Sequence, residues 1–372
     1  MPDDTPHPAD GLRELGHRPP PPGQLEGCSV PVDWLFRALC TIVGTVAVAS
    51  TLVCCSDSRD SNTAGWGGDT EPQESDSESN DTGDDDTSTD GDTDPEDGTS
   101  GPDPCDPVSS PQTLSEGLRP AEVQGPSDWC ADQPLPVVFL LHGYGASAWL
   151  QDLLFRLNTQ VEERSFLLVL PDGTVDAAGS RHWNATPACC DFYGAEVDDV
   201  GYLTSLLDEL ESRFTVDPDR VYFTGHSNGG FMSYRMACEI PERIAAIAPL
   251  AGSTFQEEGL CAASQPVSVL HIHPTLDATI PYSGTPYYPS AEEATRRWAE
   301  RNGCSTTSSQ AGESLDLINS IAGTETRVTD YRVGCEDGFH ASLWTIEGAG
   351  HVPVLNDGFS QLLLDWLLDH SR

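Results

Sequence analysis

Ser227 lies in Gly225-His226-Ser227-Asn228-Gly229, Asp277 closes the run His271-Ile272-His273-Pro274-Thr275-Leu276-Asp277, and His351 ends Glu347-Gly348-Ala349-Gly350-His351. A serine hydroxyl attacks a carbonyl only beside a base that takes its proton, and an imidazole base needs an acid to hold its tautomer. The chain offers these three groups in the order Ser, Asp, His, which is how doubly wound sheets that carry this chemistry present them. The chemistry would be acyl transfer: attack by Ser227, proton transfer by His351, orientation and charge support by Asp277. The two glycines flanking Ser227 permit a sharp strand-to-helix turn that lifts the hydroxyl out of the sheet.

An oxyanion formed by such an attack needs two fixed donors. The backbone amide of Tyr144, in the glycine-rich turn Leu141-His142-Gly143-Tyr144-Gly145, is one candidate, and the amide of Asn228, just after the serine, is the other. His271 and His273 precede the acid inside a strand, the wrong chain position for the base, and read as structural or cleft-lining. Asp198 and Asp199 stand before an expected helix and read as a cap and dipole partner rather than as a metal or acid pair. Trp183 reads as core packing next to Cys189-Cys190.

The elements that must position these groups follow from apolar runs bounded by Gly, Pro and Asp. Strands are expected at 136–141, 166–170, 220–224, 244–251, 267–273 and 341–346, with helices at 200–214, 228–238, 290–302 and 358–370. Segment 324–331 alternates and reads as an antiparallel strand. The strand-then-helix rhythm predicts an α/β fold with a mostly parallel, doubly wound sheet covered on both faces.

The chain has 372 residues and a formal charge of −42, and its acid is concentrated early. That charge argues against a nucleic-acid partner. Residues 56–104 are almost wholly Asp, Glu, Ser, Thr, Gly, Asn and Pro, and cannot bury enough apolar surface to offset chain entropy. They read as a disordered acidic linker, and Asp90, Asp92 and Asp94 lack the Gly and Glu of a calcium loop. Residues 38–55 form an apolar run behind Arg37, an export signal or membrane anchor that would leave the remainder outside. Leu52-Val53-Cys54-Cys55 resembles a lipidation box only loosely. The leader, residues 1–37, is long for a secretory segment, and a start near Val30 or Val32 would give one of ordinary length. Residues 105–372 are globular in composition and long enough for one large α/β domain. Eight cysteines fall there, an even number after an export segment, which predicts disulfides including Cys238–Cys261 and Cys304–Cys335 rather than a zinc site.

Residues 135–356 resemble the α/β-hydrolase esterases of the polyhydroxybutyrate depolymerase and feruloyl esterase group. The resemblance rests on Leu141-His142-Gly143-Tyr144-Gly145, on Trp183-Asn184-Ala185 with Cys189-Cys190, and on Val197-Asp198-Asp199-Val200-Gly201-Tyr202-Leu203. It rests further on the serine turn, on Asp277-Ala278-Thr279-Ile280-Pro281-Tyr282 and on Gly350-His351. It implies a Ser227–Asp277–His351 triad and hydrolysis of carboxylic esters with no metal or other cofactor. Pro274 departs from the group's usual Gly, and Val352-Pro353-Val354 replaces a segment that often carries an aromatic residue. The expected protein is a secreted or surface-tethered serine esterase for hydroxybutyrate-type, feruloyl or acetyl esters, polymeric or polysaccharide-linked ones included. A serine peptidase of the same fold and a catalytically idle surface-binding module are the alternatives. The oligomeric state is not legible in the sequence.

Overall fold

Leu135–Leu141 (LPVVFLL) is buried at every position, as a strand covered on both faces must be. The computed structural model that contains it describes residues 105–114, 119–336 and 338–372. The leader, the 38–55 segment and the linker fall outside the described residues. Among the described residues no helix is long and apolar enough to cross a membrane.

The strands in chain order are β1 Gln112–Leu114, β2 Ala121–Gln124, β3 Leu135–Leu141, β4 Leu167–Leu170, β5 Thr174–Val175, β6 Arg181–His182, β7 Val216–His226, β8 Ala246–Leu250, β9 Ser268–Pro274, β10 Gln310–Ala311, β11 Thr326–Tyr331 and β12 Ala341–Ile346. Ten of them form one sheet in the order β1-β2-β4-β3-β7-β8-β9-β12-β11-β10, and β5 and β6 make a separate hairpin. The run from β4 to β12 is parallel throughout. Antiparallel pairs close both edges. The segment expected at 324–331 is thus β11, antiparallel to β12 from Thr326↔Ile346 to Tyr331↔Ala341.

The main helices are α1 Ala148–Phe155, α2 Val161–Arg164, α3 Asp199–Arg213, α4 Asn228–Glu239, α5 Ala291–Arg301 and α6 Gly358–Leu368. Because strand side chains alternate, Val137, Phe139 and Leu141 face one core with Leu206 of α3, Phe231 of α4 and Trp298 of α5. Val138 and Leu140 face the other, with Phe155 of α1 and Phe359 and Leu363 of α6. The caps are local: Asp198 accepts the Gly201 amide at the start of α3 at 2.8 Å, and Ser290 accepts the Glu293 amide at the start of α5 at 3.1 Å.

Sequence and structure differ in two places that matter. β7 starts at Val216 rather than near Arg220, because its first residues lie against the edge of β3, with Leu135 opposite Val216, and carry Asp and Pro that read as a turn. α1 gave no helical signal because Trp149 and Leu153 point outward, 69% and 60% exposed, which blurs its apolar stripe.

The cysteines pair as Cys105–Cys130, Cys189–Cys190, Cys238–Cys261 and Cys304–Cys335. The last two are the pairs expected from the sequence. They tie the end of α4 and the end of α5 to the loops beyond.

Candidate active site

At the end of β7 the chain must turn from strand to helix within one residue. Ser227 does so at φ 55° and ψ −117°, a strained conformation for a residue with a side chain. Two backbone bonds hold it there, Ser227 N–H to the Leu250 carbonyl at 2.8 Å and Phe231 N–H to the Ser227 carbonyl at 3.0 Å. The glycines are required by contact. A Cβ on Gly225 would lie 2.5 Å from the Leu141 carbonyl oxygen, and one on Gly229 would run into the same carbonyl.

The Ser227 hydroxyl is 2.9 Å from His351 Nε2, and His351 Nδ1 is 2.7 Å from Asp277 Oδ2. Since the carboxylate only accepts, Nδ1 carries the proton, and Nε2 presents its lone pair to the serine. The second carboxylate oxygen, Oδ1, accepts the amides of Thr279 and Ile280 at 2.8 Å each. Burial opposes ionisation of Asp277, yet the His351 ring, the Ile280 amide and His273 outweigh it and hold the carboxyl below its ordinary range. Pro274 ends β9 opposite Ile346, and the loop after it delivers Asp277 to the imidazole despite the departure from Gly.

His226, the residue before the serine, donates its Nε2–H to the His351 carbonyl at 2.7 Å. Burial drives its pKa down to about 3, so at neutral pH it is a neutral donor. The loops that carry Asp277 and His351 are also tied to each other, through Leu276 N–H to the Ala349 carbonyl at 3.0 Å and Gly348 N–H to Thr275 Oγ1 at 2.9 Å.

The turn after β3 stands beside the serine: a Cβ built on Gly143 would sit 3.5 Å from Ser227 Cβ. Buried His142 organises it. The Gly173 amide donates to Nε2 at 2.8 Å, which leaves Nδ1–H to donate to the Gly143 carbonyl, also at 2.8 Å. Trp183, fully buried as expected for a core residue, donates Nε1–H to the His142 carbonyl at 3.0 Å. The Asn228 side chain completes the frame, accepting from Trp183 N–H at 2.7 Å and donating to the Trp183 carbonyl at 2.9 Å. Among the described residues the amides of Tyr144 and Asn228 have no hydrogen-bond partner. Two amides free to donate near a serine hydroxyl are the donor set that a developing oxyanion would need.

The remaining expected residues fall as follows. Asp198 caps α3, whereas Asp199 goes beyond a dipole partner: it pairs with Arg119 at 2.6 Å and accepts the Asn184 amide at 2.7 Å. His271 and His273 are buried inside β9, not on the cleft surface. Sequence reasoning missed His142 and His226 as supports, although both stand inside the motifs it singled out.

Residues 115–331 match the family model described as "Putative esterase", a segment that includes Ser227 and Asp277. Feruloyl esterase B of Piromyces equi is 27% identical over 247 residues, covering 63% of this chain and 42% of that protein. The bifunctional acetylxylan esterase/xylanase XynS20E of Neocallimastix patriciarum is 26% identical over 240 residues, covering 64% of this chain and 32% of that protein. The chain therefore spans less than half the length of these curated relatives. Among solved structures, the acetyl xylan esterase from Aspergillus awamori superposes with a TM-score of 0.53 at 16% identity, covering 70% of this chain and 100% of that one. That likeness supports the α/β-hydrolase fold, and with more than half of its length matched by the family model, the chain belongs to that esterase family.

Proposed function

We propose that the protein is a carboxylic ester hydrolase working through a serine acyl-enzyme. The observation that carries this is the continuous chain Ser227 Oγ–His351 Nε2, 2.9 Å, and His351 Nδ1–Asp277 Oδ2, 2.7 Å, beside the unpartnered Tyr144 and Asn228 amides. His351 Nε2 takes the hydroxyl proton as Ser227 Oγ bonds to the ester carbon. The carbonyl electrons move to oxygen, where the Tyr144 and Asn228 amides meet them. Collapse expels the alcohol, which receives its proton from His351, and the acyl group stays on Ser227. Water then enters and gives a proton to the same nitrogen as its oxygen bonds to the acyl carbon. Collapse breaks the bond to Ser227 Oγ, which takes the proton back from His351 as the acid leaves. Asp277 keeps the tautomer throughout and stabilises the transient imidazolium. The scheme calls on no metal or organic cofactor.

The substrates we favour are feruloyl, acetyl or hydroxybutyrate-type esters of bulky or polymeric alcohols. The names of the relatives support the feruloyl and acetyl members of this class. So does an exposed apolar rim: Phe192, 65% exposed, packs edge-on against the Tyr144 ring at 5.1 Å, and exposed Leu276 adjoins Asp277. Residues 38–55 as export or anchor segment and 56–104 as acidic tether would place residues 105–372 outside the cell, where such esters occur.

A fluorophosphonate probe should label wild-type protein at Ser227 and leave Ser227→Ala unlabelled, with turnover falling on the order of a millionfold in the variant. Methyl ferulate, acetylated xylan and hydroxybutyrate oligomers, assayed side by side, identify the ester. Folded wild-type protein that neither takes the label nor cleaves any of the three would refute the proposal, and faster cleavage of peptides would replace it with a peptidase.

A further inference from the structure

β9 carries His271 and His273 two residues apart, so both rings project to the same side of the sheet. They stack with centroids 5.2 Å apart and planes within 6°. Both are buried, as is Tyr234 of α4. Burying polar rings is costly unless each nitrogen has a partner, and here every one does.

The partners fix the protons. His273 Nε2 lies 2.8 Å from the Ile280 carbonyl and 3.6 Å from Asp277 Oδ2, both acceptors, so it carries hydrogen. Its Nδ1, 2.9 Å from His271 Nε2, must then accept, which gives His271 its hydrogen at Nε2. His271 Nδ1 is left as an acceptor, and the Tyr234 hydroxyl stands 2.6 Å away to donate. The result is a one-way chain, Tyr234 to His271 to His273 to the turn that holds Asp277. Burial keeps both rings neutral, with His273 pushed down to about 4 and His271 well below its usual value. The other titratable groups facing His273 are His351, His226 and the edge-on ring of Tyr282, the last 5.7 Å away.

We propose that His273 is a positioning residue for Asp277, its outward-fixed N–H pinning the Ile280 end of the acid turn and facing the carboxylate oxygen that His351 uses. This rests on the ester-hydrolase reading above. Within the turn itself, the Thr279 and Ile280 amides donate to Oδ1. Without the His273 donor, the Ile280 carbonyl loses the hydrogen bond it accepts and the carboxylate loses its second neighbour. A rotated His273 would present a lone pair to two acceptors, and the Tyr234–His271 donors forbid that rotation.

The test compares His273→Phe, His273→Gln and Tyr234→Phe in the full chain, each checked by thermal unfolding. Kinetics with 4-nitrophenyl acetate are read beside the low-field proton resonance of His351 Nδ1–H. His273→Phe should lower kcat on the order of tenfold to a hundredfold with KM nearly unchanged, and should shift or broaden the resonance. His273→Gln, which keeps an N–H at similar reach, should recover most of both. Tyr234→Phe should move both in the same direction by less. A folded His273→Phe with wild-type kcat and an unmoved resonance overturns the proposal, as does a folded His273→Gln no better than Phe. Should His273→Phe not fold, Tyr234→Phe decides, and wild-type kcat with an unmoved resonance there is fatal. Wild-type protein that cleaves no ester would count against the ester-hydrolase reading alone, since the resonance still reports on Asp277.

Discussion

Mild acid should destabilise this fold steeply, well above the pH at which its carboxylates protonate. Burial, the dominant cause, holds His142, His226, His273 and His340 at pKa values of about 4, 3, 4 and 3. In the unfolded chain each would titrate near 6.5. These are lowered values, so as pH falls below about 6.5 the unfolded state binds protons that the native state refuses. The stabilisation is complete above about pH 6.5 and is lost progressively down to the native values. Between about pH 7 and about pH 5.5 each histidine contributes a loss of roughly 1.2 kcal/mol, and the four together about 5 kcal/mol. That is comparable to the whole stability of an ordinary domain, about 5–15 kcal/mol. Asp277, with its carboxyl lowered, loses its stabilisation only as pH falls through the carboxylate range, and Asp152, raised by burial, is a single group of opposite sign. The assay is urea unfolding at a series of pH values, with the slope against denaturant checked for constancy. His340→Gln, remote from the serine, should flatten the pH dependence by about one histidine's share. Stability that is level between about pH 5.5 and 7 would refute the burial argument.

Asp277→Asn should cost on the order of ten-thousandfold in kcat while leaving the melting temperature nearly unchanged, because the amide favours the wrong imidazole tautomer; steady-state kinetics read it. Gly229→Ala should destabilise by about 3 kcal/mol, since the new methyl meets a backbone carbonyl that cannot move aside, and a shift in denaturation midpoint measures the cost. Reductant should lower the melting temperature, each long-range disulfide contributing about 2–4 kcal/mol, whereas an intact mass with eight free thiols at positions 105–335 would contradict the pairing.

The parallel centre of the sheet was legible because short continuous apolar runs such as 136–141 and 166–170 fit strands covered on both faces. The serine turn was legible because only glycine fits at 225 and 229. The order Ser, Asp, His was visible too, but not the distances, which depend on how β9 and β12 lie side by side. α1 escaped because Trp149 and Leu153 face outward while Phe155 faces the core, which blurs the stripe. The short edge strands β1, β2 and β10 carry too few residues for a period to register. His142 and His226 were in plain view, yet their function is the direction of one N–H, and the acceptor for His226 lies at residue 351. No local pattern encodes such a partner.

The separations along the chain have a kinetic consequence. Ser227 and His351 stand 124 residues apart and His351 and Asp277 stand 74 apart, so no local segment can assemble the site. Closing such loops costs entropy before any contact repays it, and non-local pairings form late in folding. On refolding, helix signal should therefore return before ester turnover does. A chain with α4 formed and β12 still undocked would display its serine without a base, which makes recovered activity a stringent clock for the final step of assembly.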